Sequence, residues 1–194
     1  MAFSGSVEAY GGSSEAGANG GGPRSWSVSV WLGPNARKYA GAIVQDGFNL
    51  QSRGLIAGLT LDRKLARLFD DVYLGGEIQI DETSLDHADT VFAGTLGLQF
   101  ENLLGYERTS FAMFTGPSYD LDPAYQVIGY KHRIGCAYRK KFLNLIAAEF
   151  ASGLPFSANW DWTIRLYHRS GVFGLYSQGD DDGLAFGLGL KYHF

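Results

Sequence analysis

Leu184 to Phe194 reads LAFGLGLKYHF, and Trp160 to Ser170 reads WDWTIRLYHRS. Both runs alternate strictly, and a period of two belongs to a strand whose faces meet different surroundings. In the terminal run Leu184, Phe186, Leu188, Leu190, Tyr192 and Phe194 share one face, while Ala185, Gly187, Gly189, Lys191 and His193 share the other. A soluble sandwich strand would set a bulky polar face against its apolar one; here the face opposite the large apolar residues is small or charged. That division fits the wall of a small barrel in lipid, apolar outward and small or polar toward a crowded lumen.

Working outward, six more runs show the same division: Trp26 to Leu32, Gly54 to Leu61, Val72 to Asp81, Thr90 to Phe100, Thr109 to Thr115 and Phe142 to Ala151. In the last of these Phe142, Asn144, Ile146, Ala148 and Phe150 share the outward face. With the two C-terminal strands the count is eight, a common size for a small membrane barrel. The expected fold is therefore all-β, an eight-stranded antiparallel transmembrane β-barrel of the bacterial outer membrane, occupying residues 26–194 behind a flexible Gly/Ser-rich leader at 1–25. A short strand at Ser6 to Tyr10 is compatible with that leader.

Composition agrees. Mean hydropathy is near zero, and no segment approaches the roughly 20 apolar residues of a spanning helix, whereas a barrel strand needs only about 9 to 11 alternating ones. A net charge of −4 gives no case for nucleic acid. The single cysteine, Cys136, makes no internal disulfide. The opening MAFSGSVEAYGG lacks the basic and apolar regions of a signal peptide, which fits the mature form of an exported chain.

Connection lengths should alternate, long outside and short inside, with the C-terminus on the periplasmic side. Gly33 to Arg53, Glu82 to Asp89, Gly116 to Lys141 and Gly171 to Gly183 would be external, and Asp62 to Asp71, Glu101 to Arg108 and Ser152 to Asn159 periplasmic. RKLARLF at Arg63 to Phe69 is compatible with a helical turn, and Gln126 to Arg139 with either extended flanking strands or an extra hairpin. A final Phe preceded by alternating apolar residues resembles the C-terminal signal read by the outer-membrane barrel assembly machinery, an expected partner.

Parity singles out one constellation. Trp160, Trp162, Ile164, Leu166, His168 and Ser170 share the outward face, and the strand runs upward to an external loop. His168 and Ser170 therefore lie near the outer leaflet, side by side at positions i and i+2, roughly 6 to 7 Å apart. A histidine beside a serine can act as general base to a nucleophile, and a carboxylate would orient the imidazole. Asp182 is the first choice for that acid and Asp180 the alternative. Arg165, facing inward, should pair with luminal Glu149, Glu77 or Asp161. Arg169 should point inward or into the rim; near the outer rim it and Lys141 would be solvated, with contact to lipid phosphates the alternative. His132 and His193 have no metal-ligand spacing, and no metal or other cofactor is expected.

The order HRSG, then a loop with DDG, then a barrel strand ending in Phe resembles the outer-membrane lipid A deacylases, also called acyloxyacyl hydrolases. The resemblance implies an eight-stranded barrel with a His-x-Ser pair and a downstream acid on its lipid-facing wall. It implies hydrolysis of an ester-linked acyl chain of lipid A or a similar outer-leaflet lipid, lipopolysaccharide being the partner. His168, Ser170 and Asp182 would be catalytic, with Arg169 and Gly171 binding substrate. Gly171 stands where that family commonly has Asn, and Leu184 and Ala185 stand where its best-known members carry a Glu, so backbone N–H groups around Gly171 would serve the oxyanion. The rival expectation is a non-catalytic structural or partner-binding barrel, and a weaker one a soluble lipocalin-like barrel.

Overall fold

Alternation gives each strand a lipid face and a luminal face, and antiparallel neighbours in register stack those faces around a wall. A computed structural model describes residues 8–9, 25–36, 54–84, 88–121, 125–130, 133–138, 141–171 and 181–194. The strands are β1 (Glu8–Ala9), β2 (Trp26–Ala36), β3 (Leu55–Phe69), β4 (Val72–Ser84), β5 (Ala88–Glu101), β6 (Thr109–Asp120), β7 (Tyr125–Tyr130), β8 (Arg133–Tyr138), β9 (Phe142–Gly153), β10 (Trp160–Ser170) and β11 (Asp181–His193). The main sheet runs β1-β3-β2-β11-β10-β9-β6-β5-β4, and β4 pairs back onto β3. That pairing closes an eight-stranded antiparallel barrel of β2 to β6 and β9 to β11, as the alternation predicts.

Both ends of the barrel chain and the connections 70–71, 102–108 and 154–159 lie at one end, the turn end; the other connections lie at the loop end, where the one between β4 and β5 spans only 85–87, against the expected long–short alternation. Every barrel strand has 11 to 15 residues, more than the roughly 9 to 11 a bilayer requires. Pairing therefore continues beyond the expected ends, taking Gly33–Ala36 into β2, Glu82–Ser84 into β4 and Gly116–Asp120 into β6. The segment at 126–139 forms the extra hairpin, β7 with β8. Apart from Glu8, Ala9 and Ser25, the leader lies outside the described residues.

RKLARLF is strand, not helix. Lys64↔Gly75, Ala66↔Leu74, Arg67↔Tyr73 and Phe69↔Val72 carry the β3–β4 ladder to its end with two register shifts. Asp70 and Asp71 close it, Asp71 at φ 59°, and Asp enters that left-handed region more readily than most residues. Across the lumen mouth, the Lys64 ammonium bonds the Glu101 carboxylate. β1 adds to this end of β3 through Glu8↔Arg67 and Ala9↔Ala66.

The wall is inside-out. Val30, Leu59, Ile78, Leu96, Met113 and Leu188 are exposed, while Thr60, Asp62, Glu77, Gln79, Glu149, Arg165 and Lys191 are buried. At about 3.3 Å per residue and a tilt of roughly 40°, the outward face from Leu184 to Phe194 spans about 25 Å of depth, a full apolar belt. Arg165 sits at the centre of the lumen, fully buried. Its guanidinium donates to Glu77 at 2.5 Å and Glu149 at 3.2 Å, and also to Gln79 Oε1. The Lys191 ammonium bonds Glu149 and lies 3.2 Å from Asp62, which accepts from Ser27 Oγ at 3.2 Å. Asp161 is not an Arg165 partner; it accepts from Arg108 at 3.3 Å and lies 2.7 Å from the His193 ring.

Above this layer Trp31 fills the lumen, and the glycines of the terminal strand make room for it. A Cβ on Gly187 would fall 2.4 Å from the Trp31 ring, and one on Gly58 2.2 Å from Trp31 Nε1. Tyr167 packs beside it at a centroid distance of 5.8 Å.

Removing Arg165 leaves the buried Glu77 carboxylate without its cation and Glu149 with Lys191 alone. Arg165→Met should destabilise the barrel by about 3–5 kcal/mol, whereas Arg67→Ala, which loses only an exposed pair with Asp70, should cost less than about 0.5 kcal/mol. Urea unfolding in lipid vesicles, followed by tryptophan fluorescence, checks this; equal shifts in the two variants would refute the central role of Arg165.

Candidate functional site on the lipid-facing wall

β10 keeps the expected parity. Trp160, Trp162 and Leu166 are exposed and His168 is half-buried on the outward face, while Asp161, Thr163, Arg165, Tyr167 and Arg169 are buried on the luminal one. Ser170 has outward parity, yet only 9% of it is exposed. Its neighbours explain the shielding. Ser170 pairs with Asn144 of β9 and with Asp181 of β11, and Asn144 pairs with Pro117 of β6. One step toward the turn end, Thr115, Ile146, His168 and Leu184 are partners in the same manner.

Two adjacent rows of the outward face therefore bring His168, Ser170, Asn144 and Thr115 together. Asn144 Nδ2 donates to Thr115 Oγ1 at 2.9 Å and to the Leu145 carbonyl at 3.2 Å. Asn144 is 6% exposed, so its amide belongs to the wall rather than to a hydrated rim. The next pair toward the loop end, Tyr119↔Phe142, is aromatic with both members exposed. Aromatic residues gather at membrane interfaces, which puts the polar patch one step inside the loop-end boundary. A matching girdle marks the turn end, where Trp160 and Tyr192 lie 5.0 Å apart and Phe150 and Trp162 5.6 Å apart between ring centroids.

The β10–β11 register shifts between His168 and Ser170. His168 is opposite Leu184 but Ser170 is opposite Asp181, so β11 carries one extra residue there. Simple alternation down from Leu184 selects Asp182 for the outward face; the register instead makes Asp181 the cross-strand partner of Ser170 and leaves Asp182 within the bulge. The side chains of 181–183 are outside the described set, as is Asp180. Gly171 is buried at the end of β10.

Arg169 requires a correction. It does not lie at the rim among lipid phosphates; it points into the lumen, 1% exposed, with Nε donating to Ser118 Oγ at 3.0 Å and Nη1 lying 3.4 Å from Asp120. Parity forces this, because Arg169 alternates with His168 and Ser170. Asn144 and Thr115 went unselected from sequence, although the parity of β9 already set Asn144 outward among apolar residues. Only the register reveals that it faces Ser170. Among the described residues no group of three His, Cys, Asp or Glu side chains is placed to hold a metal.

No family model and no curated protein matches this sequence. Among solved structures, the N-terminal β-barrel domain of Pseudomonas aeruginosa OprF is similar over 88% of this chain and 98% of its own, at 12% identity and a TM-score of 0.51. The Yersinia pestis outer membrane protein Ail, solved in a phospholipid bilayer nanodisc, aligns over 87% of this chain and 99% of its own at 13% identity and a TM-score of 0.46. The fold is that of a bacterial outer-membrane barrel. Its exposed apolar belt between two aromatic girdles places it in that bilayer.

The middle of the lumen, among the described residues, is filled by side chains. Among the described residues, Arg165, Gln79, Thr60, Ile56, Leu145 and Phe114 are at most 1% exposed, as befits a barrel whose interior is just wide enough for side chains to fill. Purified protein in planar bilayers should give no steady ion conductance. Stable single-channel steps would contradict the filled lumen.

Proposed function

We propose that the barrel is an outer-leaflet lipid hydrolase that removes an ester-linked acyl chain from lipid A or a similar lipid of lipopolysaccharide. The observation that carries this reading is the polar patch of His168, Ser170, Asn144 and Thr115 in an otherwise apolar wall, one step inside the loop-end aromatic boundary. Polar side chains facing lipid are costly and cluster where function demands them. At that depth the esters of an outer-leaflet lipid reach the wall sideways.

In this reading Ser170 Oγ attacks the ester carbonyl while His168 takes its proton, forming a tetrahedral oxyanion. His168 then returns the proton to the departing alkoxide, and a water repeats the sequence to release the fatty acid. Backbone N–H groups around Gly171 would be the donors for the oxyanion. Asp182 is the acid assigned to orient His168, with Asp180 the alternative. The chemistry calls for no cofactor.

The near-burial of Ser170 favours a second reading, a non-catalytic barrel in which the patch is a polar seam satisfied by its own hydrogen bonds. The two separate cleanly. Lipid A incubated with folded wild-type protein should lose one acyl chain by mass spectrometry, and Ser170→Ala and His168→Ala should each slow the loss by about 10²–10⁴-fold. Release that persists in both variants removes the assignment, and no release from the wild type selects the second reading.

A further inference from the structure

A groove of about 570 Å³ crosses the outward face of β3, β4, β5 and β6. Its floor exists because Gly76 and Gly94 occupy outward positions that bulky residues hold elsewhere in the belt; a Cβ on Gly94 would meet nothing within 4 Å. Leu61, Leu65, Ile78 and Leu96 wall it, Trp26 and Arg63 close its turn end, and Thr115 and Pro117 close the other. The groove follows the register, from Arg63↔Gly76 to Gly76↔Leu96 to Leu96↔Thr115. Partner rows run perpendicular to tilted strands, so the groove is oblique to the membrane. It rises from the turn-end boundary toward the bilayer interior over three strand spacings, about 14 Å.

The cations at this end of β3 are not equivalent. Lys64 bonds Glu101 across the lumen mouth and Arg67 pairs with Asp70 at 2.7 Å. Arg63 points outward, exposed, its guanidinium 4.9 Å from the Trp26 ring centroid. Among the described residues it has no carboxylate partner. A stacked guanidinium at the interfacial end of an apolar groove is complementary to a phosphate that carries an acyl chain, since its fork meets phosphate oxygens in pairs.

We propose that this groove is a binding site for one glycerophospholipid of the turn-side leaflet, its phosphate on Arg63 and one acyl chain lying over Gly76 and Gly94 toward Thr115. The site is independent of hydrolysis at Ser170. Its polarity matches that leaflet: the charged end is at the boundary and the apolar end points to the bilayer interior. A lipid anchored in the opposite leaflet would present its phosphate at the wrong end.

Native mass spectrometry of the full folded chain, titrated separately with phosphatidylglycerol, diacylglycerol of the same chains and lipid A, tests the assignment. Wild-type protein should retain one phosphatidylglycerol at least about tenfold better than diacylglycerol, the scale of a charge-assisted hydrogen bond. Arg63→Gln should lose that preference, and Gly94→Leu, which fills the groove toward open space, should weaken retention about tenfold. Equal retention of phosphatidylglycerol and diacylglycerol, preferential retention of lipid A, or unchanged binding by Gly94→Leu would overturn the proposal. Should a variant fail to fold, phosphatidylglycerol with a photoreactive acyl chain reads the wild type directly. Crosslinks confined to peptides containing Gly76, Gly94 or Thr115 uphold the site, and crosslinks spread around the belt overturn it.

Discussion

Arg165 carries a charge at a fully buried point of the lumen, and side chains from two other strands are arranged around it. Its partners come from the far wall as well as from the neighbouring strand: Glu77 and Gln79 belong to β4, Glu149 to β9. Lys191 of β11 shares Glu149 and reaches Asp62 of β3. Desolvating so many charges makes such a network a weak source of net stability, but it is a strong source of specificity. A one-residue slip of β10 would turn Arg165, Arg169 and Asp161 into the lipid and Leu166 and Ile164 into the lumen. At mid-membrane each misplaced arginine would cost about 2–4 kcal/mol. Register, which positions every outward residue, is held from inside.

This explains why so much of the fold is legible in sequence. Lipid and lumen make opposite demands at every second residue, so LAFGLGLKYHF and WDWTIRLYHRS declare both faces without any knowledge of neighbours. Arg165 could be matched with Glu77 and Glu149 from the same logic, because inward charges in a narrow barrel have few places to go. The glycines opposite the apolar face of β11 were readable as small, though not as the space that Trp31 fills from β2.

What sequence could not supply is whatever depends on two strands at once. Alternation within β11 selected Asp182, but one extra residue opposite His168 and Ser170 makes Asp181 the partner of Ser170. A bulge changes parity locally, and no composition at 180–184 marks where it falls. The Asn144–Thr115 hydrogen bond joins β9 to β6, strands separated in sequence by the β7–β8 hairpin. The stretch from Arg63 to Phe69 is compatible with a helical turn along the chain, but its pairing runs across it, Lys64 with Glu101 and the backbone with Val72 to Gly75.

Strand tilt joins the filled lumen to the layout of the outer wall. Closing eight strands into a narrow barrel requires each to lean, and leaning makes every row of hydrogen-bonded partners oblique to the membrane. The row that begins at Arg63 near the turn end passes Gly76, Leu96, Thr115 and Ile146 and arrives at His168 near the loop end. The geometry that fills the lumen therefore lays an oblique track between the two interfaces of the outer wall. Along it the charged side chain, Arg63, lies at the turn-end boundary, and the uncharged polar ones, Thr115 and His168, lie farther up the row. Depth, rather than any single pairing, is what lets this wall carry polar side chains toward both boundaries.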